Sequence, residues 1–154
     1  KESSAASDVY KRQLWDALEI AQAKDFVEGK QNGLDAEVER NGRNFSGGQR
    51  QRLSIARALA LQTPIVIFDD SASALDYATE AKLNNAIRNL SWKPAMIYIS
   101  QRVRSMQNMD KIILLDTGRI VAEGTHEELL ENSQLYKEIY LSQEKPVEAG
   151  DNNE

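Results

Sequence analysis

Two short groups of residues in this chain have the types and spacing that phosphate and metal binding require. The first is Ser46-Gly47-Gly48-Gln49, which stands directly before an apolar helical pattern and therefore at a helix start. The unpaired N–H groups and positive dipole of a helix start attract anions, and glycines let a ligand approach the backbone. The alternative is that Ser46 is only an N-cap followed by a flexible glycine pair. Taken alone, the segment leaves both interpretations open.

The second group is a pair of carboxylates, Asp69 and Asp70, which follow the apolar run Ile65 to Phe68. Open α/β sheets place their ligands at the carboxyl ends of their strands. One carboxylate there can hold Mg²⁺ through water, and a second can orient or deprotonate an attacking water. The alternative is a solvated acid pair at an ordinary strand end.

Helical patterns surround the first group. Residues 1 to 7 are small and polar and predict a frayed end, and apolar spacing then predicts a helix from Asp8 to about Lys24, with Val9 on its apolar side. The segment from Glu28 to Asn44 is rich in glycine, asparagine and charge, which indicates a surface connection. Ser46 then caps a helix that runs to about Leu61.

The second group lies on a predicted strand, Ile65 to Asp70, whose nearly unbroken apolar character is typical of a strand buried on both faces of a parallel sheet. Asp76 is expected to cap a helix to about Leu90, with Leu83, Ala86, Ile87 and Leu90 on its buried side. A second strand of the same kind follows from Ala95 to Ser100.

The last third of the chain predicts a hairpin and helices. A strand from Lys111 to Asp116 turns at Thr117-Gly118 into Arg119 to Glu123. Thr125 and Glu128 have the spacing of a capping box, and helical pattern continues through Leu135, Ile139 and Tyr140. Strand, helix, strand, hairpin and helices together predict an α/β protein.

Composition excludes several classes of protein. The chain has 154 residues, 41% hydrophobic and 28% charged, the balance of a globular domain. A net charge of −5 argues against nucleic acid as a partner, and the arginines at 50, 52 and 57 are expected to be solvated or salt-bridged. With no cysteine and a single histidine, His126, which we expect to be structural, neither disulfides nor a zinc site are expected. No apolar run approaches the roughly 20 residues of a membrane span.

The order of the motifs resembles the nucleotide-binding domain of ATP-binding-cassette (ABC) proteins. Ser46-Gly47-Gly48-Gln49 within "NFSGGQRQRLSIARAL" resembles the family's signature motif, and "IVIFDD" resembles its Walker B strand, with Asp69 as the magnesium ligand. "SALD", Ser73 to Asp76, resembles the D-loop, and Gln101 falls at the switch histidine. "LLDTGRIVAEGTHEEL" resembles the run that the family carries toward its C-terminus.

The resemblance implies a P-loop NTPase fold of ABC type, with a RecA-like core and a helical subdomain. On this basis residues 1–61 are expected to form the helical subdomain with the signature motif. Residues 62–142 would be the C-terminal part of the ATPase core, and residues 143–154 a disordered tail. Trp15 and Phe26 are expected in the core of the helical subdomain rather than at a contact with membrane domains.

The resemblance also implies that two such domains dimerise head to tail and enclose ATP and Mg²⁺ between them. The signature residues would contact the γ-phosphate of the nucleotide bound by the partner, and the D-loop residues Ser73 and Asp76 would also lie at the nucleotide. Asp69, Asp70 and Gln101 would serve the nucleotide bound by this chain's own subunit.

The family's lysine-bearing Walker A loop, its adenine-stacking aromatic and its glutamine loop precede the position of Lys1. We therefore expect the chain alone to bind ATP poorly and to hydrolyse none. An exposed apolar strand edge also predicts self-association or poor solubility.

Two residues depart from the family pattern. Asp70 stands where the family has a glutamate, the general base, and Gln101 stands where it has a histidine. Together with an intact signature motif, these departures resemble the degenerate subunit of a heterodimeric multidrug-type exporter. The alternative is a homodimer that tolerates both residues as a slow enzyme.

The function expected from the resemblance is ATP-driven substrate efflux. The chain would act at the cytoplasmic face of the cell membrane, with the transmembrane domains of a transporter and a second ABC subunit as partners. Ser71, where many members have proline, together with the run Ser100-Gln101-Arg102, resembles exporters more than importers. The alternatives are a soluble ABC ATPase acting on ribosomes or chromosomes, and a regulatory domain that binds nucleotide without turnover. The transported substrate is not encoded in these motifs.

Overall fold

The computed structural model describes residues 2–144, and their side chains from residue 7 onward. Their contacts divide them into two compact units, one ending at Ile99 and one beginning at Ser100. The expected division at residues 61 and 62 falls inside the first unit, where helices and strand share one apolar core.

Three helices lead the first unit: α1 (Glu2–Ile20), α2 (Lys24–Glu28) and α3 (Gly47–Ala60). The expectation of a frayed end over residues 1 to 7 is wrong for the described residues, because the helix-forming run after Lys1 continues α1 back to Glu2. The helix also ends before Lys24, since Gln22 adopts a left-handed conformation with φ 58°. That turn places Ala21 and Ala23, both fully buried, against the core.

One prediction for α1 is wrong: Val9 is 56% exposed. The buried stripe of this helix begins further along, at Ala17 and Leu18. Trp15 and Phe26 are partly buried and pack against the core of the first unit, as expected.

A two-stranded parallel sheet follows within the described part of the first unit, made of β1 (Ile65–Asp69) and β2 (Ala95–Ile99). Helix α4 (Tyr77–Arg88) connects the strands, and Asp76 is its N-cap. Ile65 pairs with Ala95 and Asp69 with Ile99. Both strands therefore end at the same edge of the sheet, where Asp69 and Asp70 lie.

The expectation that β1 and β2 are buried on both faces is wrong for the described residues. Val66 and Phe68 are each 4% exposed, whereas Ile65 and Ile67 are 57% and 59% exposed. Because side chains alternate along a strand, one face joins the core and the other is open. The open face, called the isoleucine face below, consists of Ile65, Ile67, Ile97 and Ile99.

The core of the first unit lies on the covered face of this sheet. Leu59 of α3 and Ile87 of α4 are each 1% exposed and are its largest fully buried side chains. Phe68 stacks on Tyr98 with ring centroids 4.8 Å apart. Leu83 and Leu90 are buried and Ala86 is half-buried, which confirms the predicted buried side of α4.

The second unit contains α5 (Val103–Met106), β3 (Ile112–Asp116), β4 (Arg119–Gly124), α6 (His126–Asn132) and α7 (Gln134–Glu144). The strands form an antiparallel hairpin. Thr117 and Gly118, at φ 46° and 76°, make its tight turn as predicted. The small core of the second unit consists of Val103, Ile112, Leu129 and Tyr136.

The predicted capping box at Thr125 and Glu128 is present at the start of α6. The helical pattern beyond it is interrupted at Ser133, which separates α6 from α7. His126 Nδ1 and the Tyr136 hydroxyl share a hydrogen bond of 2.9 Å. This bond links α6 to α7, which supports the structural role expected for His126. Since α7 extends to Glu144, residues 143 and 144 are helical, and the rest of the expected tail, 145–154, lies outside the described residues.

Candidate functional site

The start of α3 is fixed by a reciprocal pair of hydrogen bonds. The backbone N–H of Gln49 donates to Ser46 Oγ at 3.2 Å, and the N–H of Ser46 donates to Gln49 Oε1 at 3.0 Å. Such a capping box provides acceptors for two of the backbone N–H groups that have no intrahelical acceptor at a helix start. The N–H groups of Gly47 and Gly48 belong to the same first turn, where no intrahelical acceptor is available. These two groups can therefore receive an anion.

The loop before the motif is organised by Asn44. Its side-chain amide donates to the carbonyl of Glu37 at 2.8 Å, and its Oδ1 accepts from the N–H of Glu39 at 3.2 Å. Lys30 Nζ donates to the Asn44 carbonyl at 3.2 Å. The predicted surface connection is therefore held in one conformation just ahead of Ser46.

Two arginines that follow the motif bind backbone carbonyls. Arg50 Nη1 donates to the Phe45 carbonyl at 2.7 Å, and Arg52 Nη1 donates to the Gln22 carbonyl at 2.7 Å. Arg52 also lies over the Phe26 ring, 4.9 Å from its centroid. Both side chains therefore fix loops around α3 through backbone carbonyls, rather than through the solvation or salt bridges expected from the sequence.

The first turn of α3 packs tightly on the D-loop. A Cβ atom placed on Gly48 would lie 3.1 Å from the Ala74 carbonyl oxygen and 3.6 Å from Leu75 Cδ2. A Cβ on Gly47 would lie 3.8 Å from Ala74 Cβ, an ordinary contact. Gly48 is thus needed for the close approach of helix and D-loop, whereas Gly47 is not.

We expect Gly48→Ala to destabilise the fold by about 1–3 kcal/mol more than Gly47→Ala, because only the former crowds a backbone carbonyl. Urea unfolding of the two variants measures the difference. The two substitutions share their helix and their loss of glycine entropy, so each is the control for the other. Equal unfolding free energies would contradict the close approach at Gly48.

Gln51, which the sequence analysis did not single out, links α3 to the D-loop. Its Nε2 donates to Ser73 Oγ at 2.9 Å, and its Oε1 accepts from the N–H of Ala74 at 2.9 Å. These partners are 22 and 23 residues away. No local pattern in the sequence indicates such a pairing.

Asp69 and Asp70 are both exposed at the carboxyl end of β1. The N–H of Asp70 donates to the Ile99 carbonyl at 2.9 Å, and its carbonyl accepts from Ser73 Oγ at 3.0 Å. Asp70 has φ 47°, a left-handed conformation that aspartate adopts more readily than most residues. Its backbone is therefore held at the junction of strand and D-loop.

Magnesium chemistry fits this strand end. Mg²⁺ is usually bound by one or two carboxylates, with waters and substrate phosphates completing an octahedron. Asp69 offers one exposed carboxylate of that kind. Among the side chains that the structure describes, residues 7–144, no three or more histidines, aspartates or glutamates lie together as a group that could hold a metal ion.

Asp76, the last residue of the D-loop motif, is occupied as the N-cap of α4. Its carboxylate accepts from the Thr79 N–H at 2.9 Å and from Thr79 Oγ1 at 2.7 Å. The hydrogen bond from the Thr79 N–H, together with that from its hydroxyl, holds the pKa of the Asp76 carboxyl below its ordinary value. The site therefore keeps this carboxylate ionised.

Gln101 belongs to the second unit. Its carbonyl accepts from Gln143 Nε2 at 2.7 Å, while Gln143 Oε1 accepts from the Val103 N–H at 2.9 Å. Its own side chain is exposed. The structure thus brings α3, the D-loop and Asp70 together in the first unit. In the second unit, the Gln101 carbonyl is bound by Gln143 of α7.

Comparison with known proteins identifies relatives over nearly the whole chain. A family model described as ABC transporter matches residues 2–73. The ATP-dependent lipid A-core flippase of Francisella tularensis is 42% identical over 135 residues, covering 88% of this chain and 22% of that protein. An uncharacterized ABC transporter ATP-binding protein of Mycobacterium tuberculosis is 42% identical over 142 residues, covering 92% of this chain and 24% of that protein.

The fold matches as well. A solved structure described as a bacterial Atm1-family ABC exporter with ATP bound superposes with a TM-score of 0.84 at 34% identity, covering 88% of this chain and 24% of that chain. This chain therefore spans between about a fifth and a quarter of the length of these relatives.

The chain belongs to the ABC transporter family, as part of its ATP-binding domain. Within that family it is homologous to the lipid A-core flippases and to the Atm1-family exporter. The predicted family and the α/β fold class are confirmed. Among the described residues, no helix is long and apolar enough to cross a membrane.

Proposed function

We propose that the chain is the signature-bearing part of the nucleotide-binding domain of an ABC exporter. ATP binding and hydrolysis at a head-to-tail dimer would drive substrate efflux. The observation that carries this proposal is the capped start of α3 packed on the D-loop, in a chain homologous to exporters over most of its length. That homology favours transport over a soluble role at ribosomes or chromosomes.

The start of α3 would bind the γ-phosphate of ATP held by the partner subunit. The N–H groups of Gly47 and Gly48 and the helix dipole supply the attraction for the anion. Ser46 Oγ adds a hydroxyl that can donate to a phosphate oxygen while its lone pair accepts from Gln49. Gln49 acts mainly by orienting this serine, because its own side-chain oxygen is engaged in the capping box.

Asp69, Asp70 and Gln101 would serve the nucleotide of this chain's own subunit. Asp69 would hold Mg²⁺, which when bound offsets phosphate charge. Asp70 would accept a proton from the attacking water, and Gln101 would donate a hydrogen bond to the γ-phosphate. The chain contains no Walker A sequence of the G-x-x-x-x-G-K-[ST] type, so we propose that it has no ATPase activity by itself.

We further propose that this own site is degenerate and that the partner is a different ABC subunit. Asp70 is shorter than the usual glutamate by one methylene, about 1.5 Å. Gln101 cannot take up a proton as histidine does. The signature residues lack such changes, so the partner's nucleotide would be the one hydrolysed efficiently. The assembly would include transmembrane domains and lie at the cytoplasmic face of the cell membrane.

The test uses the full-length protein that carries this chain, tagged and purified from its native host. We expect recovery from the membrane with a second ABC subunit that has glutamate and histidine at the positions of Asp70 and Gln101. Recovery from the soluble fraction with ribosomes would overturn the transport proposal in favour of a soluble ABC ATPase that acts on ribosomes. Recovery from the membrane as a homodimer would overturn the proposal of a heterodimer.

A variant pair tests the role of the helix start in the same complex. We expect Ser46→Arg to abolish the ATP-driven approach of the two nucleotide-binding domains, measured by energy transfer between labels on the two subunits. The control is Ser54→Arg, an exposed position on the same helix. Equal loss in both variants, or in neither, would contradict phosphate binding at Ser46.

A further inference from the structure

We propose that Gln51 is a positioning residue that ties the D-loop to the signature helix, so that both close over a nucleotide as one body. The proposal rests on the function proposed above and adds to it a residue outside the four signature positions. Gln51 lies on α3, five residues beyond the N-cap Ser46, and its side chain is half-buried.

The tether uses both ends of one amide group. Gln51 Nε2 donates to Ser73 Oγ at 2.9 Å and makes a long contact of 3.5 Å to the Asp70 carbonyl. Its Oε1 accepts from the Ala74 N–H at 2.9 Å. A single side chain from α3 therefore contacts three residues of the segment that leaves β1.

The tether continues beyond its first partner. Ser73 Oγ accepts from Gln51 and donates its own proton to the Asp70 carbonyl at 3.0 Å. The Asp70 N–H in turn donates to the Ile99 carbonyl of β2 at 2.9 Å. Hydrogen bonds therefore connect α3, through Ser73, to the backbone of Asp70, the proposed general base, and from there to strand β2.

The chemistry of the contact requires glutamine. The D-loop presents an acceptor, Ser73 Oγ, and a donor, the Ala74 N–H, to the same side-chain end. A carboxylate has no donor, lysine and arginine have no acceptor, and asparagine is shorter by about 1.5 Å. Glutamate at this position would keep the bond to Ala74 and lose the donation to Ser73.

This arrangement assigns Gln51 a part in catalysis through other residues. Without Gln51, the D-loop would keep its packing against Gly48 but lose these two side-chain hydrogen bonds, and it could then shift relative to the start of α3. A misplacement of about 1 Å can cost up to about 10²-fold in rate. Because Gln51 touches neither the phosphate contact nor the carboxylates, its loss should lower kcat and leave binding of ATP largely intact.

The experiment compares Gln51→Leu and Gln51→Glu in the full-length complex. We expect kcat for ATP to fall about tenfold in Gln51→Leu, with a smaller loss in Gln51→Glu and an unchanged KM. Hydrogen exchange of the peptide containing residues 70–76 should accelerate in Gln51→Leu. The control is Gln13→Leu, an exposed position on α1 that should change none of these quantities.

The two readouts separate the possible failures. Unchanged exchange over residues 70–76 in Gln51→Leu would overturn the tether. Faster exchange with an unchanged kcat in an active complex would overturn the positioning role. If the unmodified complex showed neither ATP turnover nor ATP-driven association, the proposed function would fall, and the exchange result would still decide whether Gln51 holds the D-loop.

Discussion

Replacing Asp70 with glutamate is expected to raise ATP turnover at this chain's own site about 10²-fold in the full-length complex. The backbone at position 70 is anchored by its bonds to Ile99 and Ser73, so it cannot advance to offset a short side chain. The added methylene extends the carboxylate by about 1.5 Å toward a bound water. Adding Gln101→His supplies a group that can carry a proton, and the double variant should be fastest.

The measurement isolates this site by neutralising the catalytic carboxylate of the partner subunit. Asp70→Asn is the matched control, because it preserves side-chain size and cannot accept a proton at neutral pH. Glutamate is less well suited than aspartate to φ 47°, so Asp70→Glu should also lower the unfolding free energy by up to about 1 kcal/mol. No rate gain in either the single or the double variant would favour a regulatory domain over a weakened enzyme.

Leu59→Ala is expected to lower the free energy of unfolding by about 2–5 kcal/mol. Leu59 is 1% exposed in the core where α3 meets α1 and β1. Removing its terminal isopropyl group leaves a cavity that the packed helices and sheet cannot fill completely. Urea unfolding of the chain, followed by circular dichroism, measures the loss.

The neighbouring Leu61 is a matched control, since it is the same residue type and is 74% exposed. Leu61→Ala should change the unfolding free energy by no more than about 0.5 kcal/mol. If the two variants unfolded with the same midpoint, the core assigned to α3 would be wrong.

The features that sequence predicted well are those with local causes. Ser46, Asp76 and Thr125 were each expected to start a helix, because a cap depends on a side chain and the backbone three residues later. The turn at Thr117-Gly118 likewise follows from two adjacent residues. Strand ends could be predicted to within a residue because the apolar runs stop at charged or polar residues.

The features that sequence did not predict depend on residues far apart in the chain. Gln51 and the D-loop meet only because α3 and β1 pack together, which no short pattern records. The end of α1 depends on Gln22 adopting positive φ without being glycine. An apolar run indicates that a strand can be buried. It does not determine whether neighbouring elements cover one face of the strand or both.

The roles of the site residues were predicted through resemblance to a family and remain proposals. The geometry supports the signature helix and D-loop as one local arrangement, with Ser46, Gly48 and Asp70 fixed by hydrogen bonds or close packing. Gln101 is fixed through Gln143, within the other unit.

Because the isoleucine face is exposed, the apparent unfolding free energy of the first unit depends on which other molecules in the sample cover that face. Full burial of an isoleucine contributes about 1.5–3 kcal/mol, and this face holds four that are half exposed. Any surface that covers them binds the folded state in preference to the unfolded one, which raises the apparent unfolding free energy by mass action. The unfolding midpoint of the isolated chain should therefore rise with its own concentration, so that dilute samples report the intrinsic value.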